Sequence, residues 1–345
     1  IGVSVCRFMQ GMTQAAFYPS IHTMLAKWSP LCERGRLSTY IYSGSQIGTI
    51  LAFQLSGWFA GTPALGWPAS FWIFGTLSLV ICGLLGWLAA ASPHEHPSIS
   101  SEEIMYITQN GNADIVPKKR KTPWVDILKC RAVWGIVCSQ AGSSIGYILV
   151  LTEMPLYMSG VLEVDIKRNG LFSSLPYIAM YIMVLSFGYV VDFATNRKLM
   201  KVVNIRRTAN TIGMVASALF LVAFSLVKNT PLAVCLLVIS LALHSGVHVG
   251  FHINQIDLAP NFAGSIMALG NMLGHLTSLL VPVIVSNIVT DRNHGQWKIV
   301  FITIAAIQCI ANTIYVVFAK GEIQPWNYYG EEEKKKTISY TYNAY

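Results

Sequence analysis

The sequence predicts an all-α membrane protein with nine crossing helices, and three observations predict it. Nine long apolar blocks lie at 1–26, 37–60, 68–91, 132–159, 170–191, 208–227, 232–254, 263–289 and 298–319. Each is close to the roughly 20 residues a helix needs to cross the hydrocarbon core. Charged residues make up 12% of the chain and the mean hydropathy is +0.50, whereas a soluble domain carries roughly 25% charged residues. The basic residues also alternate between loops. Of the 24 Lys and Arg, 18 follow the first, third, fifth, seventh and ninth blocks. Loops rich in Lys and Arg face the cytoplasm, so the long loop at 92–131 and the C-terminus are expected on that side. A net charge of +8 spread over loops in this way argues against a nucleic-acid surface.

The first block begins at residue 1 without an initiator Met or a polar flank, and the chain is expected to begin within a longer protein. The segment 92–131 separates three blocks from six. It opens with Pro93 and Pro97, which stop the third helix. Ser100 and Glu103 then form a capping box for a short helix, and Lys118 to Lys121 make a basic run. Trp124 to Leu128 reads as an interfacial helix leading into the fourth block. The expected organisation is 1–91 as a three-span bundle, 92–131 as the central cytoplasmic loop, 132–320 as a six-span bundle and 321–345 as a cytoplasmic tail. The seven cysteines have no framework spacing and read as free thiols that pack as small hydrophobes.

Charges inside spans are expensive, and each is a functional hypothesis. Arg7 lies one to two turns into the first block. Its guanidinium suits a carboxylate or phosphate, or it snorkels to the interface. Gln14 lies seven residues on, on the same helix face, and His22 follows. Glu153, in the fourth block, is either hydrated near the outer interface or, if deep, the carboxylate that could couple to a cation or proton. His244, His248 and His252 recur every four residues; metal binding, lining of an aqueous cavity and interhelical packing are all open for them. Small residues at Gly44, Ser45 and Gly48, and at Gly264, Gly270 and Gly274, allow close helix approach.

Taken together, these stretches resemble one family. Arg7-Phe8-Met9-Gln10-Gly11, Tyr18-Pro19-Ser20-Ile21-His22, Glu33-Arg34-Gly35-Arg36-Leu37 and Tyr42-Ser43-Gly44-Ser45-Gln46 are similar to the anion:cation symporters of the major facilitator superfamily. So are Gly250-Phe251-His252-Ile253-Asn254-Gln255-Ile256-Asp257 and Gln324-Pro325-Trp326. Sialin, vesicular glutamate transporters and sodium/phosphate cotransporters form this group. The resemblance implies a twelve-helix fold of which the nine spans are helices four to twelve. It also implies alternating-access symport of an organic or inorganic anion, of the sodium/phosphate kind. A proton-coupled sialin-like carrier and a truncated non-transporting protein are the alternatives.

Arg7 is then the expected anion ligand, with Gln14, Tyr147 and Asn254 as further cavity contacts. Asp192, with Arg197 and Lys198, resembles the superfamily's cytoplasmic gating loop, and His22 and Glu153 are coupling candidates. Proton-coupled members carry Glu at the position of Gln14. The glutamate carriers carry Arg where this chain has Ser143. Both departures point toward the phosphate-type members. The resemblance implies no enzyme activity, metal or cofactor, only Na+ or H+ as coupling ion. It implies a monomer in the plasma, lysosomal or vesicular membrane, with a small anion and the bilayer as partners.

Overall fold

The structure, a computed structural model, describes residues 2–30, 33–62, 66, 68–107, 121–161, 166–227, 229–291 and 293–328. Most of the basic run at 118–121, the charged run of the tail, Cys32, Lys228 and Arg292 lie outside the described residues. The helices are α1 (Gly2–Gln14), α2 (Phe17–Trp28), α3 (Arg34–Gly61), α4 (Pro68–Leu88), α5 (Ser101–Ile107) and α6 (Trp124–Lys129). They continue as α7 (Arg131–Ile148), α8 (Met154–Gly160), α9 (Ile166–Asn196), α10 (Val202–Thr211), α11 (Ser217–Leu226) and α12 (Thr230–His244). The last are α13 (Gly246–Val249), α14 (Phe251–Leu258), α15 (Ala263–Ser278), α16 (Leu280–Ile288) and α17 (His294–Phe318).

Seven helical stretches among the described residues are long and apolar enough to cross a membrane: Pro68–Leu88, Arg131–Glu153, Ser174–Asn196, Val202–Leu226, Thr230–Leu258, Pro260–Ile288 and His294–Phe318. They fall on the third to ninth apolar blocks. The first two blocks are helical in a different way. The first is split into 13- and 12-residue helices at Ala15 and Ala16, because Pro19 has no N–H to continue the ladder. The second is a 28-residue helix, but Ser43, Gln46, Thr49 and Gln54 dilute its apolar character.

Other breaks also have local causes. Pro155 cannot donate back into α7, and a π-helical turn at Leu149–Glu153 absorbs the mismatch. A second π turn, Ile212–Ala216, joins α10 to α11. It lies where Gly213 meets Gly246 and Val247 of α13.

The core runs through the later helices. Leu149, Met154, Tyr157, Phe224, Trp297 and Phe301 form one cluster at one end, and Val133, Ile136, Met214, Phe251, Ile266 and Tyr315 form another toward the other. α7 packs on α15 and α17, α9 on α12, and α11 on α12 and α17. Two earlier helices dock on this body, α3 along α9 and α2 along α15. α1 and α4 bury no residue. The glycines of α15 serve the close approaches their spacing suggested. Gly264 lies against Thr23 and the Pro19 carbonyl, and Gly270 against Gln140. A Cβ added at Gly44 or Gly48 of α3 would meet no atom of the described residues within 4 Å. Ser100 caps the short helix as expected, with the Glu103 amide donating to Ser100 Oγ at 3.2 Å. The six described cysteines are free.

Candidate functional site

The helices that dock on the later bundle enclose a cavity of about 190 Å³ with it. Each wall is a helical stripe. α7 presents Gln140, Ser143, Ser144 and Tyr147, spaced i, i+3, i+4 and i+7, which puts them on one face. α3 presents Tyr42, Ser45 and Gln46, and α15 presents Met267, Asn271 and His275. His244, His248 and His252 form a further wall, kept in line although the helix is interrupted at Ser245 and Gly250, and Tyr18 of α2 and Met180 of α9 also reach the cavity.

Polar groups in the walls are bonded to one another. Gln140 Nε2 donates to Asn271 Oδ1 at 2.5 Å, and Gln255 Nε2 donates to Gln140 Oε1 at 3.2 Å. His244 Nε2 and Ser143 Oγ lie 3.1 Å apart. The Tyr42 ring stacks on His248, with centroids 4.7 Å apart, and His248 stacks on His252 at 5.3 Å. Tyr42 also bonds through its hydroxyl to His22 Nε2 of α2. His22 and Tyr42 are buried, so this pair joins α2 to α3 directly beside the histidine stripe.

A group of buried charges lies outside the cavity lining. Asp257, at the end of α14, lies 3.6 Å from Arg34 Nη1 of α3 and 2.8 Å from Arg206 Nε of α10. All three side chains are at most 8% exposed. Arg206 also donates to the Val249 carbonyl at 3.3 Å. Beside this trio Asp192 accepts from the backbone N–H of Arg36 at 2.7 Å. These contacts tie α3 to α9, α10 and α14.

The residues singled out from sequence are dispersed. Tyr147 lines the cavity. Arg7 is exposed on α1, with Nη1 donating to Gln10 Oε1 at 3.3 Å and its guanidinium 5.7 Å from the Phe71 ring centre. Gln14 is also exposed. Asn254 is buried outside the cavity and donates to the Lys320 carbonyl at 2.8 Å. Glu153 sits in the π turn and accepts from Thr152 Oγ1 at 3.3 Å. Asp192 lies on the Arg36 amide, beside the buried charges. Arg197 does not, and stacks over Phe193 of its own helix, 5.7 Å from the ring centre. Lys198 follows it in a left-handed conformation with φ 52°. His22 stands next to the stripe. Sequence reasoning missed the trio Arg34, Asp257 and Arg206, and Tyr42. Opposite charges at helix ends flanked by apolar turns were the available signal, but they read as loop charges.

Comparison with known proteins agrees with this architecture. The family model described as "Major Facilitator Superfamily" matches residues 2–282. A "Putative inorganic phosphate cotransporter" of Drosophila ananassae is 35% identical over 343 residues, covering 98% of this chain and 71% of that protein. Sialin of Homo sapiens is 32% identical, covering 93% of this chain and 65% of its own length. Vesicular glutamate transporter 3 of Danio rerio is 31% identical, covering 94% and 55%. The chain thus spans 55% to 71% of the lengths of these relatives. A match over most of its length, with relatives of these three kinds, means that the chain belongs to the Major Facilitator Superfamily, in its anion:cation symporter group.

Proposed function

We propose that this protein carries small anions across a membrane by cation-coupled alternating access, with inorganic phosphate the first candidate substrate. The observation that carries the reading is a cavity with polar side chains in its walls, lying between two groups of helices that buried ion pairs also join. Alternating access needs a midplane site and two bodies that close over it in turn. The proposed bodies are 1–91 and 132–320, joined by 92–131, with nine crossings corresponding to helices four to twelve of the superfamily fold. The end with Arg34 and Asp257 would face the cytoplasm with the basic loops and the tail, in the plasma membrane or a lysosomal or vesicular membrane. The choice of phosphate rests on the phosphate cotransporter relatives; sialic acid and glutamate follow from the others.

Within this reading Tyr147 contacts the anion. Arg7 is proposed as its first cationic contact, since α1 leaves the guanidinium accessible. Gln14 would assist it, and Asn254 would hold the α14 end. Asp192 is the gating residue, while Arg197, His22 and Glu153 are secondary candidates for gating or coupling. The test is uptake of phosphate, N-acetylneuraminate and L-glutamate into proteoliposomes, with sodium and proton gradients imposed separately. Gradient-driven accumulation of one of them supports the reading. Absence of uptake under both gradients overturns it. Unchanged uptake by Arg7→Ala removes Arg7 as a ligand.

A further inference from the structure

Among the described residues that line the cavity there is no Lys, Arg, Asp or Glu. An anion that leaves water for such a site needs a compensating positive charge or a full set of donors. The bases of the lining are imidazoles: His244, His248 and His252 in a row, and His275 across from them. His248 has no hydrogen bond at either ring nitrogen, and His252 has none at Nδ1. A neutral imidazole with an unused lone pair can take a proton there and then offer N–H donors to an anion.

We propose that the cavity histidines, centred on His248, take up a proton as the anion arrives, so that an imidazolium holds the anion and one proton travels with it. The proposal rests on the anion-carrier reading and names the coupling ion and its residues. The groups that face the row show why the two events are linked. α2 contributes His22 and Tyr18, α3 Tyr42, α7 Tyr147 and α15 His275. α10 contributes Arg206, which is held by Asp257.

None of the cavity groups is a carboxylate, and the stacked rings of His248 and His252 lie 5.3 Å apart. A proton alone would place an unbalanced charge among buried bases. An anion supplies the balance. By linkage each ligand then raises the affinity for the other by the same factor. The proton bonds to a ring nitrogen lone pair on loading and leaves to water when the anion departs. Proton coupling in this chain therefore does not need a carboxylate at Gln14.

The experiment uses the whole chain in lipid nanodiscs, with phosphate, N-acetylneuraminate and L-glutamate as probes. Calorimetry in buffers of different ionisation enthalpy reads affinity and proton uptake together. The expected result is about one proton taken up per anion, with a Kd that accordingly tightens about tenfold per pH unit, or about 100-fold between roughly pH 8 and pH 6. His248→Gln, checked for folding by its thermal melt, should bind weakly with that uptake lost. His275→Gln serves as a second variant and should retain part of it. Phosphate has its own ionisation, which is common to all variants and cancels in the comparison.

Binding by the unaltered chain without proton uptake or pH dependence overturns the proposal and leaves the anion carrier standing. Full proton uptake by a folded His248→Gln chain also overturns it. Absence of binding by all three probes at every pH overturns the anion reading and this proposal with it.

Discussion

Asp192 of α9 places its carboxylate on the backbone amide of Arg36, 2.7 Å away, in the first turn of α3. Amides in the first turn of a helix lack an intrahelical partner and carry the positive end of the helix dipole. A carboxylate from a neighbouring helix satisfies both needs. The site exists because residue 35 is glycine: a Cβ there would collide with Asp192 Oδ1. One side chain and one missing methyl thus pin α3 to α9 at the end that carries the buried charges.

Asp192→Ala should release that end. A hydrogen bond to a charged group contributes about 1.5–3 kcal/mol, so the closed arrangement should lose about 10- to 100-fold in relative population. Spin labels on the exposed ends of α3 and α9 would show a longer distance component. An unchanged distance distribution would take Asp192 out of gating.

Gly35→Ala should have the same effect with every charge intact. Its methyl displaces the Asp192 carboxylate, so the two substitutions remove one interaction. In a double-mutant cycle the second change should add little to the first, with a coupling energy of about 1–3 kcal/mol. Simple additivity would mean that Gly35 acts through something other than Asp192.

Much of this arrangement was legible from residue spacing, and the limits have physical causes. Apolar length marked the third to ninth spans, and the i, i+4 run of His244, His248 and His252 marked a wall of the cavity. The stripe on α7 follows the same period, yet of Gln140, Ser143, Ser144 and Tyr147 only Tyr147 was singled out as a contact. Periodicity identifies a face but not what the face meets. Arg7 and Gln14 share a face of α1, but that face meets no described cavity wall. Asp257 and Arg34 are 223 positions apart in sequence, and only docking of α3 beside α14 brings them together. Asn254, an expected cavity contact, instead has its amide bound to the Lys320 carbonyl.

Asp257→Asn should be more damaging than Arg34→Met. Asp257 stands between two buried guanidinium groups, and its loss removes the carboxylate that both face. Removing one partner of a buried ion pair costs about 3–5 kcal/mol. Arg34→Met leaves Asp257 with Arg206 at 2.8 Å and should cost clearly less. Thermal unfolding in detergent ranks the two. Equal losses would mean that Arg206 does not hold Asp257 on its own.

Asn210 should matter for stability and not for transport. It is buried outside the cavity and donates to Asn312 Oδ1 at 2.9 Å and to Ser139 Oγ at 3.0 Å. It thereby ties α10 to α17 and α7. Interhelical polar contacts in membrane proteins are worth about 0.6–1.7 kcal/mol, so Asn210→Ala should lower the melting temperature by a few degrees. Uptake per folded molecule should be unchanged. A loss of uptake without a loss of stability would place Asn210 in the transport path.

The segment after α17 should act as a brace for the charge lock. The Gln324 amide donates to the Leu258 carbonyl at 2.9 Å, and Asn327 Oδ1 accepts from the Asn261 amide at 3.0 Å. Trp326 packs near Phe262, with ring centres 6.2 Å apart. Leu258 adjoins Asp257, so these bonds hold the backbone that carries the central carboxylate of the lock. Asn327→Ala removes the acceptor for the Asn261 amide, and Trp326→Ala removes apolar contact with Phe262. Each should cost about 1–2 kcal/mol. Amide hydrogen exchange at 258–262 should quicken about tenfold, and the α3 end should separate more often in the same spin-label measurement. Faster exchange with an unaltered α3 distance would show that the segment steadies α14 without bearing on the lock.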